Sequence, residues 1–284
     1  PLTLAGGYLN SPASWAGVGD PTANPTILDA MGGGRVIYAA SALTVQGLTV
    51  QNGKWSIPNE SGGGIYASQA LTLNKVTVYS NTVTGANGAG GGVYVANGAA
   101  TSIDGSFQQN SATGAGGGLY VDNGAATITG GYFQQNSAAG DGGGLYVKNG
   151  AATLTGATVQ QNGAIGSGGG FYVLGSVTIS GTQVKSNNAG GSGGGGYGSG
   201  LVVLQGATFD GNRGSSSAGA LYAGGGIDMQ ASEFIDNLTT SGVAGAGVTT
   251  TMRPHGIPAR MKASAVACRP RKLVAKVHHR AHRA

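Results

Sequence analysis

Residues 116–136 read GGGLYVDNGAATITGGYFQQN, and residues 142–162 read GGGLYVKNGAATLTGATVQQN. Two copies 26 residues apart are enough to raise a repeat, and a repeat is tested first because overlooking one misassigns the whole fold. Working outward, an asparagine closes each unit, at Asn52, Asn81, Asn110, Asn136, Asn162, Asn187, Asn212 and Asn237. A tyrosine keeps the same period, at Tyr38, Tyr66, Tyr94, Tyr120, Tyr146, Tyr172, Tyr197 and Tyr222. Both series shorten together, from 28–29 residues at the start to 25 at the end.

Inside each unit the apolar residues alternate with period 2, the signature of a strand. Leu119 and Val121 flank Tyr120. Ile128 lies between Thr127 and Thr129, with Leu73, Leu154, Ile179, Leu204 and Met229 as its equivalents. A third apolar position falls three residues before the asparagine, at Val78, Phe107, Phe133, Val159, Val184, Phe209 and Phe234. Three short strands per unit are predicted, separated by Asn-Gly and Gly-rich corners where positive φ is tolerated. Strands this short cannot bury an apolar face alone, so successive units must stack, at about 4.8 Å per coil. The expected fold is all-β: one parallel β-helix of eight to nine coils, about 38 Å long at that spacing. Right-handed winding is expected from the bias of parallel crossovers.

Rival repeats fail on specific residues. Leucine-rich repeats need several Leu per unit, and here there is about one. Calcium-binding nonapeptides need an Asp in each glycine run, and only Asp141 lies in one. Collagen needs Gly at every third position. The 58 glycines and 8 prolines of this 284-residue chain are therefore corner residues and not a mark of disorder. A single cysteine, Cys268, excludes a disulfide scaffold. No apolar run approaches the roughly 18 residues that cross a membrane as a helix. The net charge of +5 is a composite. Residues 252–284 hold nine of the fifteen Lys/Arg and all four His without one acid, leaving residues 1–251 at −4. Nucleic-acid binding by the repeat body is not expected.

The glycine-rich lead-ins GGGIY, GGGVY, GGGLY and GGGFY, paired with the strand ends FQQN, FDGN and FIDN, resemble the repeats of polymorphic outer-membrane proteins and of other bacterial β-helix surface proteins, autotransporter passengers among them. The segment PTILDAMGGGRVIYAASALTVQGLTVQNG (25–53) is similar to the first complete coils of bacterial right-handed β-helix repeat proteins of pectin-lyase-like architecture. Together they cover residues 25–237. The resemblance implies a secreted or cell-surface passenger, extracellular or on the bacterial surface, with adhesion or a structural role as its function. Three regions are expected: residues 1–24 as an N-terminal cap with a first strand (LTLAGGY, 2–8) and Trp15, residues 25–251 as the helix, and residues 252–284 as a basic tail outside the fold. The chain starts at Pro1 without a signal peptide and is read as a monomeric mature form or fragment.

Each residue column has a structural and a functional reading. Stacked Asn amides at a corner satisfy backbone groups of neighbouring coils, so the eight asparagines are read as a structural ladder. If Leu119 and Val121 point inward, Tyr120 points outward, and Tyr94, Tyr120, Tyr146 and Tyr172 form an exposed strip. Such a strip can bind surface glycans or proteins of a host or neighbouring cell, or simply shield the glycine corners. The pairs Thr127/Thr129, Thr153/Thr155 and Thr178/Ser180 resemble the face of β-helical ice-binding proteins, interrupted by Asn74, Asp104, Gln205 and Asp228.

Catalysis is the alternative class, because many β-helix proteins are polysaccharide lyases or hydrolases. Glycoside hydrolysis needs two carboxylates about 5–9.5 Å apart. Asp210 and Asp236, with Asp228 and Glu233, are the candidates, while Lys148 and Lys185 do not converge on them. No glycine run ends in the Lys-Ser/Thr of a phosphate loop. No catalytic residue, cofactor or metal is assigned. In the tail, clustered Arg/Lys permit nucleic-acid or anionic-membrane binding, and Cys268, His278 and His279 fit no standard zinc spacing. The reading favoured for the tail is a truncated helix followed by out-of-frame or unrelated sequence that stays disordered.

Overall fold

A computed structural model of the chain describes residues 2–8, 19–240 and 248–250. One coil serves for all: strands Leu119–Asn123, Ala126–Thr129, Tyr132–Gln134 and Ser137–Ala138 follow one another, each in a different sheet. Each pairs in parallel and in register with its counterpart one coil away: Tyr120 with Tyr94 and Tyr146, Ile128 with Ser102 and Leu154, Phe133 with Phe107 and Val159. The result is a parallel β-solenoid of about eight turns with four sheets, three of nine strands and one of eight, and no helix among the described residues. Leu2–Ala5 is the first strand of the Thr-bearing sheet, paired with Leu43–Gln46. Beyond Asn237, Val248–Thr250 extends the Tyr-bearing sheet, with Thr249 across from Tyr222.

The fourth sheet corrects the expectation of three strands per coil. Its strands are two residues long, as in Ser111–Ala112, Ser137–Ala138 and Asn188–Ala189, and two residues carry no periodicity to detect. From the second strand on, their inward side chains are small: Val83, Ala112, Ala138, Ala164 and Ala189 are buried, and only the first strand places a large residue, Trp55, in that column. Small side chains let this wall close against the coil interior.

The core is one continuous column of inward residues, with Val45, Val95, Val121, Val147, Leu154, Ile179 and Leu204 at 2 % exposure or less. Phe107 stacks on Phe133 at 4.4 Å between ring centroids, and Phe209 on Phe234 at 5.1 Å. Three core positions depart from the pattern. Ser102 takes the place that Leu73 and Ile128 hold on either side, and its Oγ is buried without a partner. Ser102→Ala is expected to raise stability by about 1 kcal/mol, because it removes a desolvated hydroxyl that returns nothing. A urea midpoint that moves down instead of up would show that the hydroxyl is bonded. The other two are Gly196, which sits beside Phe171 in the column otherwise held by Ile65, Val93, Leu119, Leu145 and Leu221, and Gly198, which follows Val121, Val147 and Val173 in the next inward column.

The triple-glycine lead-in is explained by contact. Gly116 has φ +67, a conformation that L side chains rarely adopt. A Cβ at Gly118 would stand 2.6 Å from the carbonyl oxygen of Gly144 and 3.1 Å from Cγ of Asn136. Backbone of one coil thus lies directly on backbone of the next and on the asparagine column.

Candidate functional site

Seven asparagines form the ladder: Asn81, Asn110, Asn136, Asn162, Asn187, Asn212 and Asn237, all buried. Asn136 is representative. Its Oδ1 accepts from the backbone N–H of Asn110 (3.1 Å) and from Asn110 Nδ2 (3.0 Å). Its Nδ2 donates to the Phe107 carbonyl (2.9 Å) and to Asn162 Oδ1 (2.9 Å). Every polar valence of the amide is used. Asn52 does not belong to this column, which corrects the eight-member ladder. The strand register sets Val50 across from Val78, so Gly53 takes the ladder position and its N–H donates to Asn81 Oδ1 at 2.8 Å. Asn52 instead occupies the bend before the ladder, with φ 55, in line with Ser80, Gln109, Gln135, Gln161 and Ser186, all at φ 52–56. Its Nδ2 donates to the Asp29 carboxylate.

A second, shorter asparagine ladder escaped the repeat reading. Asn149 Nδ2 donates to Asn123 Oδ1 at 2.9 Å, and Asn123 Nδ2 to Asn97 Oδ1 at 3.4 Å, all three on the exposed corner after the Tyr strand. The Asn-Gly pairs at 97, 123 and 149, spaced by 26, were its signal.

The eight tyrosines form one unbroken stack from Tyr38 to Tyr222, with centroids 4.4–5.4 Å apart and ring planes within 16° of parallel. The expectation of an exposed strip is corrected in part. Tyr120 is only 9 % exposed, Tyr94, Tyr146 and Tyr172 are half-buried, and Tyr38 at the end of the stack is 65 % exposed. Two causes act together. Each inner ring is sandwiched between its neighbours, and the glycine lead-in packs against the tyrosine Cβ, as Gly168 does beneath Tyr172. The inner rings therefore offer edges and hydroxyls to the outside, and a complete ring face is free only at an end.

Charge is distributed unevenly along the stack. At the Tyr38 end, the Arg35 guanidinium lies 4.1 Å from the Trp55 ring centroid, 5.0 Å from that of Tyr66 and 5.7 Å from that of Tyr38. Its Nε and Nη2 donate to the carbonyls of Gly62 and Ser61, both at 2.8 Å. Further along, Tyr94 Oη donates to Asp122 Oδ2 at 3.1 Å, and Lys148 Nζ stands 2.9 Å from Asp122 Oδ1. Burial first, and the Asp122 carboxylate second, hold the Tyr94 and Tyr120 hydroxyls well above the usual phenol range. Burial also raises Tyr146 and Tyr172, with Asp141 as the next contributor.

The carboxylate candidates are not gathered at one point. Asp210 is across from Ile235, so Asp236 falls one register step beyond it, in a left-handed bend at φ 46. Glu233 is across from Thr208 on the same sheet, whereas Asp228 belongs to the Thr-bearing sheet, across from Val203. On that sheet Thr3, Thr44, Thr72, Thr101, Thr127, Thr153 and Thr178 form one register column. Its companion column holds Gln46, Asn74, Ile103, Thr129, Thr155 and Ser180, so Ile103 and not Asp104 interrupts it. Among the described residues no group of three or more His, Cys, Asp or Glu is placed to hold a metal, and no helix is long and apolar enough to cross a membrane. Trp15 and the tail residues Cys268, His278 and His279 lie outside the described residues.

With this geometry in place, comparison with known families is specific. The Chlamydia polymorphic membrane protein repeat matches residues 104–122 and 130–148. Each match runs from the Phe strand through the ladder asparagine and the glycine lead-in to the Tyr strand, so it includes Phe107, Asn110 and Tyr120 in one copy and Phe133, Asn136 and Tyr146 in the other. No curated protein and no solved structure matches the chain. The chain is thus a β-helix repeat protein that resembles polymorphic membrane protein passengers.

Proposed function

We propose that this chain is a non-catalytic passenger module of a bacterial surface, a right-handed β-helix that holds an adhesive or spacer surface away from the cell. The observation that carries this reading is the position of the two matched repeats. They are consecutive coils in the middle of a solenoid whose other coils share their register, so the family-like segment and its flanks are one continuous rod. That family's name points to an outer-membrane or cell-surface location. The repeat body lies within residues 25–251, preceded by a first strand at Leu2–Ala5, and it acts as a monomer without a cofactor; residues 252–284 lie outside the described residues. Partners are surface glycans or proteins of host or neighbouring cells, met through the edge strip of Tyr94, Tyr120, Tyr146 and Tyr172. Tyrosine supplies large amphipathic area at low entropic cost.

The test is binding of the purified chain to a glycan array and to epithelial cells, beside its Tyr146→Ala/Tyr172→Ala variant. Binding that drops in the variant is the expected result. Binding that persists unchanged would remove the tyrosine strip from the reading, and release of oligosaccharides from a polysaccharide substrate would replace it with the lyase or hydrolase alternative. The seven-threonine column keeps the ice-binding reading as a second one, and absence of thermal hysteresis would end it.

A further inference from the structure

We propose that the tyrosine stack is a one-electron relay: an oxidant withdraws an electron at the exposed Tyr38 ring, the vacancy passes ring to ring, and it comes to rest on Tyr94, where the Asp122 carboxylate takes the phenolic proton. Three observations, independent of the adhesive reading, carry this. Continuity is the first. Tyr38 to Tyr66 is 5.3 Å with planes 5° apart, and Tyr66 to Tyr94 is 5.4 Å with planes 16° apart, so two steps between overlapping π-systems join the accessible ring to Tyr94. The first ring is 65 % exposed, whereas Tyr94 is half-buried and Tyr120 behind it is 9 % exposed. Oxidant meets one end, and the radical is sheltered further in.

The second observation is the direction of the field. Arg35 stands over Tyr38 and Tyr66, and a cation within 6 Å disfavours a ring that has become positive. Asp122 has the opposite sign and lies at Tyr94 and Tyr120. Glu60, 3.7 Å from Arg35 Nη2, and Lys148, 2.9 Å from Asp122 Oδ1, each offset part of these charges, so the field guides the vacancy less than the proton acceptor does.

The third is the proton. An oxidised phenol is a strong acid, and a base in hydrogen-bond contact lets proton and electron leave together. The Tyr94 hydroxyl is protonated beforehand, as a phenol is near neutral pH, and its hydrogen bond to Asp122 Oδ2 at 3.1 Å is the exit. No other tyrosine hydroxyl of the stack donates to a carboxylate among the described residues. The step balances: one electron passes to a one-electron oxidant, such as the ferryl haem of a peroxidase charged with hydrogen peroxide. One proton passes from Tyr94 Oη to Asp122, and the products are a neutral tyrosyl radical, a protonated carboxyl and the reduced oxidant. Lys148, paired with Asp122 on its other oxygen and half-exposed, is free to turn to solvent when that charge is lost.

Flash oxidation of the whole chain by photogenerated tris(bipyridine)ruthenium(III), with persulfate as quencher, tests the relay, and the trapped tyrosyl radical is counted by electron paramagnetic resonance. Tyr38→Phe, Tyr94→Phe and Asp122→Asn are each expected to lower its yield about tenfold, the ratio given by roughly 1.4 kcal/mol of driving force. Tyr132→Phe is the control, since Tyr132 is 52 % exposed but outside the stack, and it should leave the yield unchanged. A yield that follows Tyr132 while ignoring Asp122→Asn would overturn the proposal, because oxidation would then track solvent exposure alone. A loss in Asp122→Asn without one in Tyr38→Phe would overturn the route. All four substitutions are close in shape to the native residues, and an unchanged far-ultraviolet β signal separates loss of the relay from loss of the fold.

Discussion

Asn136→Ala is expected to lower the stability of the solenoid by about 3–5 kcal/mol, among the largest effects open to a single substitution. The size follows from counting what is stranded. With the amide gone, the backbone N–H of Asn110 and one N–H of its Nδ2 lose their acceptor, the Phe107 carbonyl loses a donor, and Asn162 Oδ1 keeps only one of two donors. Asn110 and Asn162 are themselves at most 1 % exposed, so water does not replace those bonds without opening the coil. A buried donor or acceptor left without a partner costs about 1–3 kcal/mol. Asn136→Asp separates the two halves of the amide: it keeps the acceptor, removes the donor and sets a carboxylate oxygen against Asn162 Oδ1, and it should be no better tolerated than alanine at neutral pH. Asn52→Ala is the contrast. Lying outside the ladder and bonded to the exposed Asp29 carboxylate, Asn52 should cost far less to remove. Thermal or denaturant midpoints of the three variants check this order, and equal losses for Asn52→Ala and Asn136→Ala would refute the buried ladder.

Gly196→Val is expected to destabilise by about 2–3 kcal/mol, although valine suits a strand better than glycine does. A Cβ at 196 would overlap the ring of Phe171, which is fully buried. The wide Phe171 and the absent side chain of Gly196 are one solution to filling two adjacent levels of the column, where other coils use two aliphatic residues. The pair should therefore be coupled. Phe171→Leu alone leaves a cavity and Gly196→Val alone overpacks, so the double variant should be more stable than the sum of the two losses predicts. Additive losses in a double-mutant cycle would mean that the two positions do not share that space.

Legibility in the sequence followed the physics of each feature. The period, the strand alternation and the inward identity of Val121, Ile128 and Phe133 could be read because stacking in register forces each coil to repeat the same burial pattern. The two-residue strands such as Ser137–Ala138 could not, since a strand needs several residues before its period exists. Asn52 was misplaced because asparagine serves both as ladder residue and as left-handed bend residue, and only the pairing of Val50 with Val78 separates the roles by one position. The Ser102 vacancy in the aliphatic column was passed over for the same reason: its neighbours in space are 26–29 residues away, not beside it in the chain.

Local residue pattern thus determined that the chain winds into stacked parallel coils, with asparagine and glycine at the corners and tyrosine in an outward column. Exposure is a property of the surroundings and not of the pattern. Whether an outward tyrosine meets water depends on the ring above, the ring below and the glycine corner folded beneath it, and these made Tyr120 a buried member of a stack while leaving Tyr38 open. The placing of Arg35 over Tyr66 and of Asp122 on Tyr94 likewise arose only when residues 31 and 28 positions apart were brought within a few ångströms, where charge acts strongly.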